Sequence, residues 1–378
     1  MKMKNQIAII ATEETFLNLN QYDNIEVGKN VRVVGNLSIN ISPDSKLMIK
    51  NGTFFDFNSS INVTSGSLII HNNAIFGCNS YIQCNSADII VGENVKFGFS
   101  NMIKAEKATI EINKNCTISN FVCIHSSQGR IVLRPNTKIE DYCRLYSETE
   151  KGKIYIGEMC KIDARNELRA LGEIHLGPKC HLWSGSYVSA FDQPYIFKYR
   201  VTLGQQCVVA GRGPLKIEKL TMIGGKTFIV TENHNNANPF LSIREQSHTQ
   251  KGIFIDKDAW VASSCVLLDG INIGNRAMIG GGSVVTRNIP AYKVAFGNPA
   301  RIIKDRREAF YNFISKNESS PDFTNFPPEF LNWINENPHS DIEDLKSFHD
   351  EVVLNKKKPI DFNQIINKII VGIYKDAD

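Results

Sequence analysis

The stretch INKNCTISNFVCIHSSQGRIVLRPNTKIEDYCRL, residues 112–145, carries a large aliphatic residue at every sixth position in two sets of three: Ile112, Ile118, Ile124, then Leu133, Ile139, Leu145. A period of six fits neither an amphipathic helix nor one alternating strand. It fits short strands joined by tight corners, each turning one β-branched or large side chain inward. Three equal hexads per unit describe a prism with three flat faces. The wider step from Ile124 to Leu133 places extra residues at one corner.

The frame extends in both directions. Toward the N-terminus it takes in Val27, Val33, Ile39; Ile49, Phe55, Ile61; Ile70, Phe76, Ile82; and Val91, Phe97, Ile103. Toward the C-terminus it runs through Ile156, Ile162, Leu168; Leu176, Leu182, Val188; Phe197, Leu203, Val209; Ile217, Ile223, Ile229; Ile255, Val261, Leu267; and Ile273, Ile279, Val285. All 36 positions are apolar in a chain that is 42% hydrophobic, so a frame fitted by eye does not explain them. The sequence therefore predicts an all-β repeat of about 12 coils over residues 25–290, preceded by a cap at 1–24. Three residues into the first face stand Asn30, Gly52, Asn73, Asn94, Asn115 and Asn136, residue types that tolerate left-handed backbone and so mark a repeated corner. Cys116, Cys143, Cys160, Cys180, Cys207 and Cys265 all fall fifth in a hexad, an inward slot for small residues, and are read as packing residues. Phe55, Phe76 and Phe97 form one column, read as an internal aromatic stack.

Beyond Pro290 the period changes. Ile302, Ile303, Ala309, Phe310 and Phe313 have roughly helical spacing, and Ser340 to Glu343 reads as a capping box before another helix. Residues 291–378 are thus expected to form a tail with a helical appendage. The net charge of +4 among 378 residues comes without a basic block, which gives no indication of nucleic acid. The opening MKMKNQIAIIATEE has an apolar run of only five residues, too short for a signal-peptide core or a membrane span. These features point to a cytoplasmic protein, at most peripheral to a membrane-associated assembly. Nine cysteines without a CxxC pair imply neither a disulfide framework nor a metal site.

One interruption stands out. Between Ile229 and Ile255 the frame pauses for 26 residues, beginning VTENHNNANP at 230–239, so a loop over 233–252 leaves the prism. His234 stands at its root. An imidazole near neutrality suits removal of a proton from an attacking hydroxyl, which makes His234 the candidate general base. A histidine among asparagines can also simply satisfy backbone hydrogen bonds. Glu232, two residues earlier on the same side of a strand, is a candidate to orient the ring.

The run IDKDAWVASSCVLLDGINIGNRAMIGGGSVVTRNIP (255–290), followed by GNPARIIK (297–304), resembles the C-terminal half of the hexapeptide-repeat acyltransferases, whose fold is a left-handed parallel β-helix. IGGKTFIVTENH, ending at His234, matches that family's catalytic position before an extruded loop. The resemblance implies acetyl-CoA as co-substrate and no metal. It makes the backbone amide of Ser263 the oxyanion donor. Trp260, which ends a hexad at an outward position where exposure is costly, is expected at a subunit interface or substrate cleft. The resemblance also implies a coenzyme path along Gly281, Gly282, Thr286 and Arg287 to Arg301 and Lys304. Family members are typically trimers with sites between subunits, so the loop, with Arg244 and His248, is expected to close over acceptor or coenzyme. With Cys265 facing inward and no nucleophile beside His234, direct transfer is expected. The many coils before the loop suggest a polysaccharide or oligosaccharide acceptor, as in the capsular and surface-polysaccharide O-acetyltransferases. A small sugar acceptor, or a non-catalytic β-helix that binds glycan, remains the alternative.

Overall fold

The computed structural model describes residues 5–17, 19 and 23–308. The chain divides into two units, residues 1–303 and 304–378, and the coil belongs to the first. Of the predicted helical appendage, Ile302 and Ile303 lie in the strand Arg301–Asp305 and not in a helix, because the chain there still adds to the edge of the coil; Ala309 and everything beyond it fall outside the described residues.

The six residues that open the frame become three columns. Ile112 lies beside Leu133, Ile118 beside Ile139, and Ile124 beside Leu145, each pair in parallel register. Twelve parallel strands, from Ile25–Val27 to Asn272–Ile273, build the first face. The second and third faces are built the same way, giving a parallel β-solenoid of about twelve turns. Every frame residue is buried, Val27 being the most exposed at 8%. Burying such a side chain is worth about 1.5–3 kcal/mol against leaving it in water. Each coil covers the next, so the stabilisation repeats along the axis.

Inside the prism the Phe55, Phe76 and Phe97 rings stack at centroid separations of 5.0 and 4.8 Å, with interplanar angles of 8° and 11°. The six cysteines fifth in a hexad line two corners, Cys116, Cys160 and Cys180 after the first face and Cys143, Cys207 and Cys265 after the second. Each of these six donates its thiol to a corner carbonyl of the next coil, as Cys143 does to Asp163 at 3.0 Å and Cys180 to Lys198 at 2.9 Å. Burial pushes the Cys116 and Cys143 thiols up to about 11 and about 12. They are therefore neutral packing groups, not nucleophiles.

At the first corner Asn30, Gly52, Asn73, Asn94, Asn115 and Asn136 all have positive φ, between 56° and 70° except for Asn94 at 55°. Asn73, Asn94, Asn115 and Asn136 pass side-chain amide hydrogen bonds from coil to coil at 3.2–3.3 Å. The left-handed corner continues where the sequence does not advertise it, through Met159, Leu220 and Arg276. The second corner does likewise through Phe121 and Tyr142, because the coil dictates the backbone there whatever the side chain. At the N-terminal end Asn5–Phe16 forms a strand, an element absent from the sequence reading. It pairs antiparallel with Arg32–Ile41 and covers an edge that would otherwise be open.

Candidate active site

The pause in the frame is a hairpin. Asn233–His234 pairs antiparallel with His248–Thr249, which sets His234 directly opposite His248. Their rings lie 4.2 Å apart, tilted by 58°. The loop between them is tied by its own polar side chains. Asn235 bonds Ser247 through both backbone and side chain, Glu245 closes on Ser242, and Gln246 bridges Asn238 and Leu241. Its root is pinned to the following coil by Asp269, which accepts from Thr249 Oγ1, Lys251 N and Gly252 N at 2.9, 3.1 and 2.7 Å. The many asparagines and serines around His234 thus build a fixed hairpin out of a segment that leaves the prism. The tip is apolar and bare, with Phe240 95% exposed and Leu241 and Ile243 about half exposed. Arg244 is exposed in the short 3-10 turn beside them.

His234 itself is exposed, and among the described residues neither of its ring nitrogens has a hydrogen-bond partner. Glu232 turns to Arg212, with Oε2 3.3 Å from Arg212 Nε, and not to His234. Arg212 in turn meets Asp192 at 3.1 Å. Beneath this cluster the fully buried Tyr195 hydroxyl donates to Gly211 O at 2.9 Å and shares a hydrogen bond with Thr231 Oγ1 at 2.8 Å, fixing the strand that leads to Glu232 and His234. The sequence reading passed over Asp192 and Arg212. Their signal was available: they lie forty and twenty residues before Glu232, two coils and one coil away, so the repeat stacks all three at one corner.

Ser263 sits at a different corner. Ile229 pairs with Leu267 on the third face. His234 follows Ile229 by five positions, and Ser263 precedes Leu267 by four. The two therefore occupy opposite ends of that face within one chain. The Ser263 amide has no acceptor among the described residues, while its carbonyl takes the amide of Gly282 at 3.0 Å. Gly282 has φ +71°, and a Cβ built on it would meet nothing within 4 Å. Gly281 is exposed beside it. The corner over Ser263 is thus bare backbone that any side chain would cover. Thr286, Arg287 and Arg301 are exposed, and Arg301 donates to the Ala300 carbonyl at 3.1 Å. Lys304, also exposed, belongs to the second unit. Trp260 is 42% exposed on the second face, in register with Met222 on one side and Met278 on the other.

A groove of about 690 Å³ elsewhere, on the first face around Tyr155 and His175, contains none of the expected site residues. No group of three or more metal-ligating side chains occurs among the described residues. Nor does any helix among them have the length and apolarity to cross a membrane.

Comparison with known proteins adds three relatives. A Mycobacterium tuberculosis protein named as a probable acetyltransferase is 25% identical over 157 residues, covering 42% of this chain and 51% of its own. The galactoside O-acetyltransferase of Lactococcus lactis is 35% identical over 81 residues, 21% of this chain and 38% of its own. An Escherichia coli protein named for O-acetyl transfer in lipopolysaccharide biosynthesis is 28% identical over 145 residues, 36% of this chain and 74% of its own. The chain spans about half the length of the first of these relatives and less of the second. No family model matches it.

Proposed function

We propose, from the premise that this chain is a member of the hexapeptide-repeat acyltransferase superfamily, that it transfers an acetyl group from acetyl-CoA to a hydroxyl of a cell-surface polysaccharide or its precursor. The observation that carries the proposal is His234 itself. It is an exposed imidazole with both nitrogens open, fixed against His248 at the root of a hairpin that the coil holds rigidly.

In the reaction His234 takes the proton of the acceptor hydroxyl as its oxygen attacks the thioester carbonyl. The negative charge that gathers on the carbonyl oxygen is met by the Ser263 amide, a donor with no competing acceptor among the described residues. The carbon–sulfur bond then breaks, the acetyl group stays on the acceptor oxygen, and the coenzyme thiolate recovers the proton from His234. The bare backbone at Gly281 and Gly282 suits the narrow pantetheine arm, and Arg287 and Arg301 suit its phosphates. Because His234 and Ser263 lie at opposite ends of one face, a complete site needs the His234 corner of one copy against the Ser263 corner of another. The exposed Phe240 tip and the Met222–Trp260 strip are surfaces for such a contact, and a trimer supplies three equivalent sites. Among the described residues no cysteine stands beside His234, and Cys265 is buried with its thiol turned to the Gly280 carbonyl, which supports direct transfer.

Titration calorimetry with acetyl-CoA, followed by coenzyme thiol release in the presence of oligosaccharide, tests the proposal. Saturable binding and acceptor-dependent release are expected. Absence of acetyl-CoA binding at millimolar coenzyme sinks it.

A further inference from the structure

The cluster below the hairpin assigns a use to residues that acetyl transfer itself does not require. Asp192, Arg212 and Glu232 stand one above another at the corner that ends in His234, joined at 3.1 and 3.3 Å. Phe191, half-buried, lies beside them with the Arg212 guanidinium carbon 5.8 Å from its ring centroid. The pairing is incomplete. Glu232 Oε2 is buried without a hydrogen-bond partner despite the nearby guanidinium. Arg212 and Asp192 keep 43% and 49% of their side chains exposed. A structural ion pair of this kind, open to water, contributes about 0–1 kcal/mol, so stability gives little reason for it.

As a surface the cluster has specific chemistry. It offers a planar fork of donors on Arg212 and a carboxylate acceptor on Asp192, with an aromatic ring alongside. Adjacent hydroxyls of a sugar ring, one accepting and one donating, match the guanidinium–carboxylate pair, and the ring's C–H face matches Phe191. Two carboxylates against one guanidinium leave the corner net negative, which repels a sugar acid and tolerates a neutral sugar. The corner is continuous with His234, since Glu232 is two residues from it and touches Arg212. We infer that Phe191, Asp192 and Arg212 form an acceptor subsite that holds a neutral hexose unit next to the one acetylated on His234, with Glu232 positioning Arg212. This inference rests on the acetyltransferase reading.

The test uses the full chain, acetyl-CoA and two sets of pentasaccharides: the neutral malto-, cello-, galacto- and manno-series, and oligogalacturonate, oligomannuronate and α2,8-sialic acid oligomers. Thiol release is expected with at least one neutral member and at several-fold lower efficiency with the acids. On the best neutral acceptor Asp192→Ala and Arg212→Ala should raise the acceptor KM roughly ten-fold, the scale of a lost hydrogen bond to a charged group, and leave the KM for acetyl-CoA unchanged. Arg212→Lys should recover part of the loss, and the exposed Asp192 keeps the test valid if Arg212→Ala does not fold. The inference is overturned by preference for the acids, by failure to acetylate any neutral member, or by a parental acceptor KM in both alanine variants. Failure to bind acetyl-CoA instead removes the reading beneath it.

Discussion

Follow one outward column of the second face from end to end. Its first coils show Arg32, Phe54 and Ile75; the coils that follow read Lys96, Thr117, Lys138, Lys161, His181 and Thr202, and the late coils read Met222, Trp260 and Met278. On the third face the matching column passes from Tyr81, Met102 and Cys123 through Arg144 and Glu167 to Tyr187, Val208, Phe228, Val266 and Val284, so it ends in an unbroken apolar run. The inward columns show no such change, being apolar throughout and aliphatic except at Phe55, Phe76, Phe97 and Phe197. The core is therefore one repeated solution, and what distinguishes the two halves is what each shows to its surroundings. Early coils lace their surface with ion pairs such as Lys161 with Glu140 and Asp163, or Arg169 with Glu148. Late coils leave Met222, Phe228, Trp260 and Leu268 39–52% exposed around the corner that carries Ser263. Apolar surface gathered there suits contact with another chain more than contact with water.

The largest effect expected from this contrast is on turnover. His234→Ala should lower kcat by about 10² or more while leaving thermal stability nearly unchanged, since the side chain is exposed and removes no core contact. Lys138→Ala, an exposed change in the early half, should leave turnover on a short acceptor within two-fold. Near-parental turnover in His234→Ala would place the chemistry elsewhere and dissolve the division of labour between the halves.

A smaller effect sharpens the same comparison. Met222→Lys together with Trp260→Lys extends the early pattern into the late coils. Sedimentation should show a parental oligomer at micromolar concentration and dissociation of the variant, with an apparent dissociation constant raised at least about ten-fold, the scale of losing one or two buried apolar side chains at an interface. Activity should fall with it, because one chain keeps His234 and Ser263 apart. A variant that stays assembled, or an active monomer, would make the apolar column a surface without a partner copy.

The coil was legible in the sequence because its inward residues repeat with the geometry, and the first corner because asparagine and glycine declare left-handed backbone. Other features depend on the assembled coil. Phe121 and Tyr142 adopt φ of 56° and 61° although nothing in their chemistry favours it, and Phe121 stacks on Tyr142 at 4.9 Å. The strand Asn5–Phe16 precedes the frame and runs against it, so no period announces it. Within the site, His234 was readable from its place in the interruption. The Asp192–Arg212–Glu232 column was readable only by comparing residues one coil apart, since no local motif marks it.

The smallest expected effect concerns that first corner, where the halves again differ. Early coils use Asn73, Asn94, Asn115 and Asn136, linked by side-chain hydrogen bonds; late coils use Leu220 and Arg276 at the same φ. If backbone preference alone matters, Asn94→Gly should be nearly neutral and Asn94→Leu should lose about 1 kcal/mol, the scale of forcing an ordinary side chain into left-handed backbone. The ladder adds a second contribution, because Asn94 both donates to Asn115 and accepts from Asn73. Its removal by glycine should then lose about 0.5–1.5 kcal/mol as well, since these bonds are exposed and neutral. Urea midpoints of Asn94→Gly, Asn94→Leu and Leu220→Gly separate the two. Destabilisation by Asn94→Gly with no loss in Leu220→Gly assigns the early corner to its hydrogen-bonded ladder. A near-zero shift in Asn94→Gly beside a gain of about 1 kcal/mol in Leu220→Gly leaves backbone conformation as the whole of the effect.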